Sequence, residues 1–242
     1  MTTLTRIRAF RRHPTLCKSN ETDVAITTYD NDEAICRDGT LFLLPQQKST
    51  YMYITLFEKL GLRLPFNTFE KELLTILNIS PCQLHHNSWA FIRAFQVLCT
   101  HFGITSLANM FLYFFELRAP HKQLWASLNG VSGRGLLTLF NSSYKGFKVV
   151  FIKIVAPDHN PFLLEGFPLY WCQSPNVQTP WQLGDLDPSE KKDCLMLEQL
   201  NIIFDTQKLL ELEFQVVDLK FHIGTYLQIS LKFLVSCFLL IS

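Results

Sequence analysis

The sequence has little glycine or proline, with 10 Gly and 11 Pro among 242 residues. This scarcity excludes a collagen-like chain and a chain that is of low complexity throughout. Net charge is also nearly absent, because 22 Lys and Arg face 21 Asp and Glu and leave a formal charge of +1. A protein with so small a charge has no overall field that steers it to a polyanion. Any contact with nucleic acid is therefore expected from a local basic segment rather than from the charge of the whole chain.

Hydrophobic side chains are abundant instead, at 48% of the residues, and include 21 Phe, 7 Tyr and 4 Trp. This composition excludes a wholly disordered chain. The length suits one generous domain or two small ones. The chain can therefore bury a substantial core.

The cysteines are odd in number and scattered, which is typical of a reducing intracellular compartment, nuclear or cytoplasmic. No C-x2-C pair is present, and no C-x2-C-x4-H-x4-C knuckle. The close pairs are Cys82 with His85 or His86, and Cys99 with His101. We expect no metal site and no cofactor. The seven cysteines are Cys17, Cys36, Cys82, Cys99, Cys172, Cys194 and Cys237.

Charge divides residues 1–48 into a basic block followed by an acidic one, a pattern typical of a solvated, disordered leader. The start has no apolar run of the length that a secretory signal needs. The first interpretation is a solvated arm that binds nothing, and the alternative is a contact of the basic block with nucleic acid or with an anionic membrane surface. Its basic residues are Arg6, Arg8, Arg11, Arg12 and Lys18.

The C-terminal residues 216–242 form a hydrophobic tail, in which FLVSCFLLIS suggests a membrane anchor. Lys232 interrupts the apolar stretch, whereas a spanning helix needs roughly 20 apolar residues in succession. We therefore expect no membrane association unless this tail is a genuine part of the protein. The alternative is that residues 216–242 are an artefact of gene prediction and no part of the protein.

Helical punctuation is clear from Asn67 onward. Asn67 and Glu70 predict a capping box for a helix that ends near Asn78. Asn87 or Ser88 is the predicted cap of a second helix, which reaches Gly103 as a left-handed C-cap. A third helix is expected after Thr105 or Ser106 and before Pro120.

Beyond Pro120 the period shortens toward two, in the runs LWASLN, LLTLF and FKVVFIKIV. These runs predict a small antiparallel sheet of about three strands. The fold class is therefore α+β, with a helical first half, a flexible N-terminal arm and a helical and hydrophobic C-terminal tail. Prolines concentrated in Pro157–Pro188 indicate an extended arm, followed by an amphipathic helix, over residues 176–215.

The glycines of GVSGRG allow a phosphate site on backbone N–H groups, at Gly133, Arg134 and Gly135. A hairpin connection explains them equally well. No nucleophile elbow or nucleotide-binding glycine motif is present. Asp158 follows a predicted strand, as an acid of a metal-dependent nuclease does, but the later acids lie in proline-rich or amphipathic segments. We predict no catalytic residue.

Several blocks in the middle of the chain resemble a plant domain described as "putative gypsy-type transposon" or "putative plant transposon protein". The most specific are LGLRLPF, PCQLHHNSWAFIRAF, GRGLLTLFNSSYKGFK and PLYW. The resemblance spans roughly Tyr51 to Pro175, so we assign residues 49–175 to this domain. It implies the leading portion of a protein encoded by a mobile element, and it supplies no catalytic or binding residue.

These observations favour a non-enzymatic, transposon-derived plant protein that acts as a structural or interaction module, gag-like in role. The expected partners are the protein itself and nucleic acid, the latter through the basic arm. The alternatives are the degenerate remnant of a transposase or nuclease, and a tail-anchored membrane protein.

Overall fold

A computed structural model of the chain describes residues 27–30, 49–119, 125–140, 150–156, 164–172, 174–177 and 179–212. Helices and strands both occur, so the predicted α+β class is confirmed. The helices are α1 (Ile54–Leu60), α2 (Thr68–Leu77), α3 (His86–Phe102), α4 (Ala108–Phe114) and α5 (Pro188–Gln199), and residues 206–212 are also helical. The strands are β1 (Thr27–Asp30), β2 (Ser49–Tyr53), β3 (Phe115–Arg118), β4 (Ser127–Gly130) and β5 (Val150–Val155).

The predicted capping box of α2 is confirmed. The side chain of Asn67 accepts a hydrogen bond from the Glu70 N–H at 2.9 Å, and the Glu70 carboxylate accepts from the Asn67 N–H at 2.9 Å. Asn78 then ends the helix in the left-handed conformation, with φ of 50°. Both ends of α2 thus follow from side chains that lie beside it in sequence.

Helix α3 ends as expected, with Gly103 at φ of +66°. The predicted cap at its start is wrong, because the helix already begins at His86. The His85 ring caps it, since its Nδ1 accepts from the Asn87 N–H at 3.2 Å. Ser88 instead accepts from the N–H of Leu128 at 2.8 Å and so attaches the helix to β4.

The third predicted helix is shorter than expected. Helix α4 stops at Phe114, and β3 follows immediately instead of a helix that continues toward Pro120. Strand β3 pairs with β4, the strand predicted from LWASLN. The helical period of the sequence continues beyond the end of α4, but pairing with β4 makes the residues that follow a strand.

The larger sheet is formed by different strands from those that the sequence predicts. Strand β5 lies between β1 and β2 and is antiparallel to both, with Lys153 opposite Thr27 on one side and Tyr51 on the other. Its partners therefore precede the helices. The run LLTLF forms no strand and makes a single bridge, between Leu137 and Phe204.

The chain folds into two compact units, each made of three separate segments. The first comprises the described residues within 1–89, 117–129 and 142–179, and the second comprises those within 90–116, 130–141 and 180–242. Residues assigned to a linker and an amphipathic helix, 176–215, thus pack within both units where they are described. Strand β1 lies within the predicted leader.

In the first unit, residues 164–177 lie against α2 and the turn that follows it. Gln83 is fully buried, and its amide both donates to the Cys172 carbonyl at 2.8 Å and accepts from the Cys172 N–H at 2.9 Å. Asn176 donates its backbone N–H to the Leu77 carbonyl at 2.8 Å. The blocks PCQL and PLYWC of the sequence therefore contact each other.

In the second unit, α5 packs on α4 through two side-chain hydrogen bonds. Tyr113 donates its hydroxyl to Glu198 at 2.7 Å, and the Asn109 amide donates to Glu190 at 3.1 Å. Asp187 caps α5 in a second capping box with the same Glu190. The helix begins at Pro188, a residue favoured at the first helical position.

Candidate functional site

The predicted nucleic-acid contacts lie outside the described residues. This holds for all five basic side chains of the leader and for Asp158 of the nuclease alternative. Their roles stay predictions. The residues in question are Arg6, Arg8, Arg11, Arg12 and Lys18.

The glycine cluster forms a tight turn. The Arg134 N–H donates to the Val131 carbonyl at 3.1 Å, and Gly133, the third residue of the turn, has φ of +80°. That backbone conformation favours glycine over residues with a Cβ. Gly135 lies under Ile203, whose Cδ1 would be 3.6 Å from a Cβ at this position. Turn geometry therefore accounts for Gly133, whereas a Cβ at Gly135 would make only an ordinary contact with Ile203 and packing does not require glycine there.

The guanidinium of Arg134 binds groups of the protein itself. Its Nη1 donates to the carbonyl of Tyr113 at 3.1 Å and to that of Trp181, and its Nη2 donates to the Gln182 side chain. The guanidinium carbon also lies 4.1 Å from the centre of the Tyr113 ring. Arg134 thereby ties residues 181–182 to the end of α4. Phosphate binding by Gly133, Arg134 and Gly135 stays a prediction.

Tyr113 lies at the centre of this contact between α4 and α5. Burial, followed by the hydrogen bond to the Glu198 carboxylate, raises the pKa of Tyr113 to about 12. The hydroxyl is therefore protonated at neutral pH and donates to Glu198. This hydroxyl therefore serves as the hydrogen-bond donor that joins the two helices.

Cys99 and Cys194 are thiols rather than thiolates. Burial is the largest cause that raises the pKa of Cys99 and of Cys194 to about 12, and Glu190 adds to the effect at Cys194. Cys82 accepts a hydrogen bond from the Trp171 indole at 3.0 Å. Within the described ranges, no cluster of three or more His, Cys, Asp or Glu side chains could hold a metal ion.

We expect Cys99 and Cys194 to resist alkylation in the folded protein. Both are fully buried, and a rise in pKa from 9.0 to about 12 lowers the thiolate population about 1,000-fold. Iodoacetamide labelling at pH 8, followed by peptide mass mapping, measures each cysteine separately. The same cysteines in urea are the reference, and the part-exposed Cys172 is the internal comparison. Equal labelling rates with and without urea would contradict the structure.

Residues 136–140 of the second unit are apolar apart from Thr138, and one of their leucines is highly exposed. Leu139 is 75% exposed, and Ile203, next to the bridging Phe204, is 62% exposed. These are two of the four large hydrophobic side chains that are exposed among the described residues, the others being Tyr170 and Val177. The sequence predicted a strand here and gave no sign of its exposure, because its pairing partner lies 67 positions away at Phe204.

The segments that tie each unit together were also missed by sequence reasoning. The amide of Gln83 and the guanidinium of Arg134 bind residues that are 89 and 47 positions away. The blocks PLYW and GRG pointed to these regions through the family resemblance, without a role for any residue. Spacing within a sequence carries no signal for such distant contacts.

Among the described residues, no helix has both the length and the apolar character that a membrane crossing requires. The hydrophobic tail from residue 216 onward lies outside them. No curated protein and no solved structure matches the chain.

The sequence model of one family does match, over residues 52–119, and that family is described as "Putative gypsy type transposon". The matched segment runs from β2 through β3. It contains the α2 capping box, Gln83, the whole of α3 and Tyr113. The predicted resemblance is confirmed over residues 52–119, the segment that matches the model of this gypsy-type transposon family.

Proposed function

We propose that this chain is a non-catalytic structural module of a plant mobile element, gag-like in role, which associates with itself and binds nucleic acid through its basic leader. The family match supports an origin in a transposon. We place the protein inside the cell, in the nucleus or cytoplasm, as its scattered cysteines favour.

The observation that carries the proposal is the use of polar side chains within the family segment. Gln83, Ser88 and Trp89 are buried, and each makes a hydrogen bond to the protein's own backbone. Catalytic groups instead need a free proton site or nucleophile that faces a substrate. Polar side chains that bind the protein's own backbone favour a structural role, in which the protein contacts its partners through its surface and its leader.

The leader supplies the predicted contact with nucleic acid. Its five basic residues precede the first acidic residue, Glu21, so the first 20 residues carry positive charge alone. Phosphate contacts of this kind release counterions, and each one adds roughly 0.7 to 0.9 to the salt dependence of the logarithm of affinity. A salt series therefore measures how many leader residues bind.

The test compares the full chain with two variants of equal net charge, by fluorescence anisotropy with single-stranded RNA and duplex DNA. The leader variant replaces Arg6, Arg8, Arg11, Arg12 and Lys18 with Gln. The control variant replaces five exposed basic residues elsewhere with Gln as well. These residues are Lys59, Arg118, Lys191, Lys192 and Lys208.

We expect the leader variant to lose most of the salt dependence, a decrease in slope of about 3.5 on single-stranded RNA and about 4.5 on duplex DNA if all five contacts are made. The control variant should bind as the unmodified chain does. Equal weakening by both variants would assign binding to overall charge instead. Absence of binding by the unmodified chain, together with a strictly monomeric state, would refute the proposed function.

A further inference from the structure

Residues 136–140 use only one side of their backbone. The Phe204 N–H donates to the Leu136 carbonyl at 2.9 Å, and the Thr138 N–H donates to the Phe204 carbonyl at 2.9 Å. The Thr138 carbonyl accepts from the Thr206 hydroxyl at 2.6 Å. The groups of Leu136 and Thr138 thus face the segment around Phe204.

Leu137 and Leu139 face the other way, because successive residues of an extended segment direct their backbone groups to opposite sides. No hydrogen bond between two described residues involves the N–H or C=O of either leucine. Leu139 is also the most exposed of the large hydrophobic side chains in this part of the chain, at 75%. Among the described residues, nothing pairs with this side of the segment, which we call the open edge.

Folded proteins protect such edges with charged side chains, proline or a covering element, because an unprotected edge pairs with other chains. The stretch GLLTLF at 135–140 has no ionisable residue and no proline. Two copies of it bring no like charges together. Its composition therefore suits pairing with an identical segment.

We propose that this edge is the self-association surface of the chain and that its occupant is the same edge of a second copy. The two segments run antiparallel about a two-fold axis at Thr138. Leu137 of each copy lies opposite Leu139 of the other, and each such pair exchanges both backbone hydrogen bonds. This register joins all the unused backbone groups of the two leucines.

The contact is weak when it acts alone. A stable interface buries roughly 800 Å² on each partner, which exceeds the area that two leucines and one isoleucine can supply. A weak pairing gains strength when many copies lie on one nucleic acid, because binding to a common scaffold raises their effective concentration. The inference therefore rests on the proposed function and names the surface through which its copies meet.

The first test is sedimentation velocity of the full chain over a range of concentrations. Leu139→Lys places a charge on the open edge and should raise the dissociation constant of the dimer at least about tenfold. Val177→Lys is the matched control, because Val177 is 56% exposed and lies in the other unit. The control should leave the dissociation constant unchanged.

The second test probes the register directly by mixing two single variants, Leu137→Cys and Leu139→Cys, under mild oxidation. Opposed residues of a hydrogen-bonded antiparallel pair have Cα atoms about 5.5 Å apart, which is within the range that a disulfide spans. Peptide mass mapping should find the link between position 137 and position 139 in the mixture. Neither variant alone should form a link at its own new cysteine.

The remaining outcomes would contradict self-association through residues 136–140, each in a different way. Dimers that respond equally to Leu139→Lys and Val177→Lys, or that give no 137–139 link, would overturn this surface and leave the proposed function standing. A chain that remains monomeric at every concentration, yet binds nucleic acid through its leader, would refute self-association alone. A monomer that also binds no nucleic acid would refute both proposals.

Discussion

Replacing Trp89 with alanine should lower the free energy of unfolding by about 3 to 5 kcal/mol, the range for truncating a large aromatic side chain in a packed core. Trp89 is fully buried at the start of α3 and stacks on Phe66 with ring centres 5.6 Å apart. Its indole N–H donates to the Pro81 carbonyl at 3.1 Å. The loss is a large part of the roughly 5 to 15 kcal/mol that stabilises a typical domain.

Two further variants separate the causes of that loss in urea denaturation. Trp89→Phe keeps a stacked ring but removes the N–H donor and part of the ring volume, so it should cost about 2 to 3 kcal/mol. Tyr170→Ala removes an aromatic ring that is 37% exposed in the same unit, and it should cost less than about 1 kcal/mol. A Trp89→Ala protein as stable as the Tyr170→Ala protein would show that the Trp89 packing is wrong.

Features that depend on neighbouring residues could be predicted from the sequence. The α2 capping box needs Asn67 and Glu70 three positions apart, and the end of α3 needs Gly103 in the left-handed conformation. The amphipathic period of each helix also lies within a few turns of chain. Such signals are complete within a short window, which is why they were found.

Features that depend on distant residues could not be predicted in the same way. Ser88 has the chemistry of a helix cap, yet it binds the N–H of Leu128, which is 40 positions away. The KVVFIKIV run was predicted as a strand, but nothing in its own residues indicates that it pairs with Ser49–Tyr53. Periodicity indicates that a strand exists, and only the packed core selects its partner.

The same distinction between neighbouring and distant residues applies to the candidate site. The basic leader was predicted from local charge, and Arg134 from the glycines on either side of it. What Arg134 binds depends on Trp181 and Gln182, whose positions the sequence around Arg134 does not indicate. Function predicted from composition therefore concerns segments, whereas the roles of single side chains follow from the fold.

The largest effect of a change of one functional group should come from Gln83→Glu. The Gln83 amide is fully buried and both donates to and accepts from the backbone of Cys172. A carboxylate cannot donate to the Cys172 carbonyl, and an unpaired charge is brought into the core. The expected loss at pH 7 is about 3 to 5 kcal/mol in the free energy of unfolding, as for other uncompensated buried charges.

The same variant should recover stability in acid. A protonated carboxyl group donates to the Cys172 carbonyl and accepts from the Cys172 N–H, so it restores both hydrogen bonds. Burial raises the pKa of the introduced group above its unfolded value of about 4.3. The penalty is therefore absent below that value and grows as the pH rises toward the folded-state pKa.

Gln83→Leu is the matched control, because it removes both hydrogen bonds without adding an ionisable group. Its loss of stability relative to the unmodified chain should be the same at pH 4 and pH 7. Urea denaturation of the three proteins at both pH values gives the comparison. If Gln83→Glu loses as much at pH 4 as at pH 7, the amide does not hold Cys172 in place. A pH dependence confined to Gln83→Glu is the result expected if the Gln83 amide is buried against the backbone of Cys172.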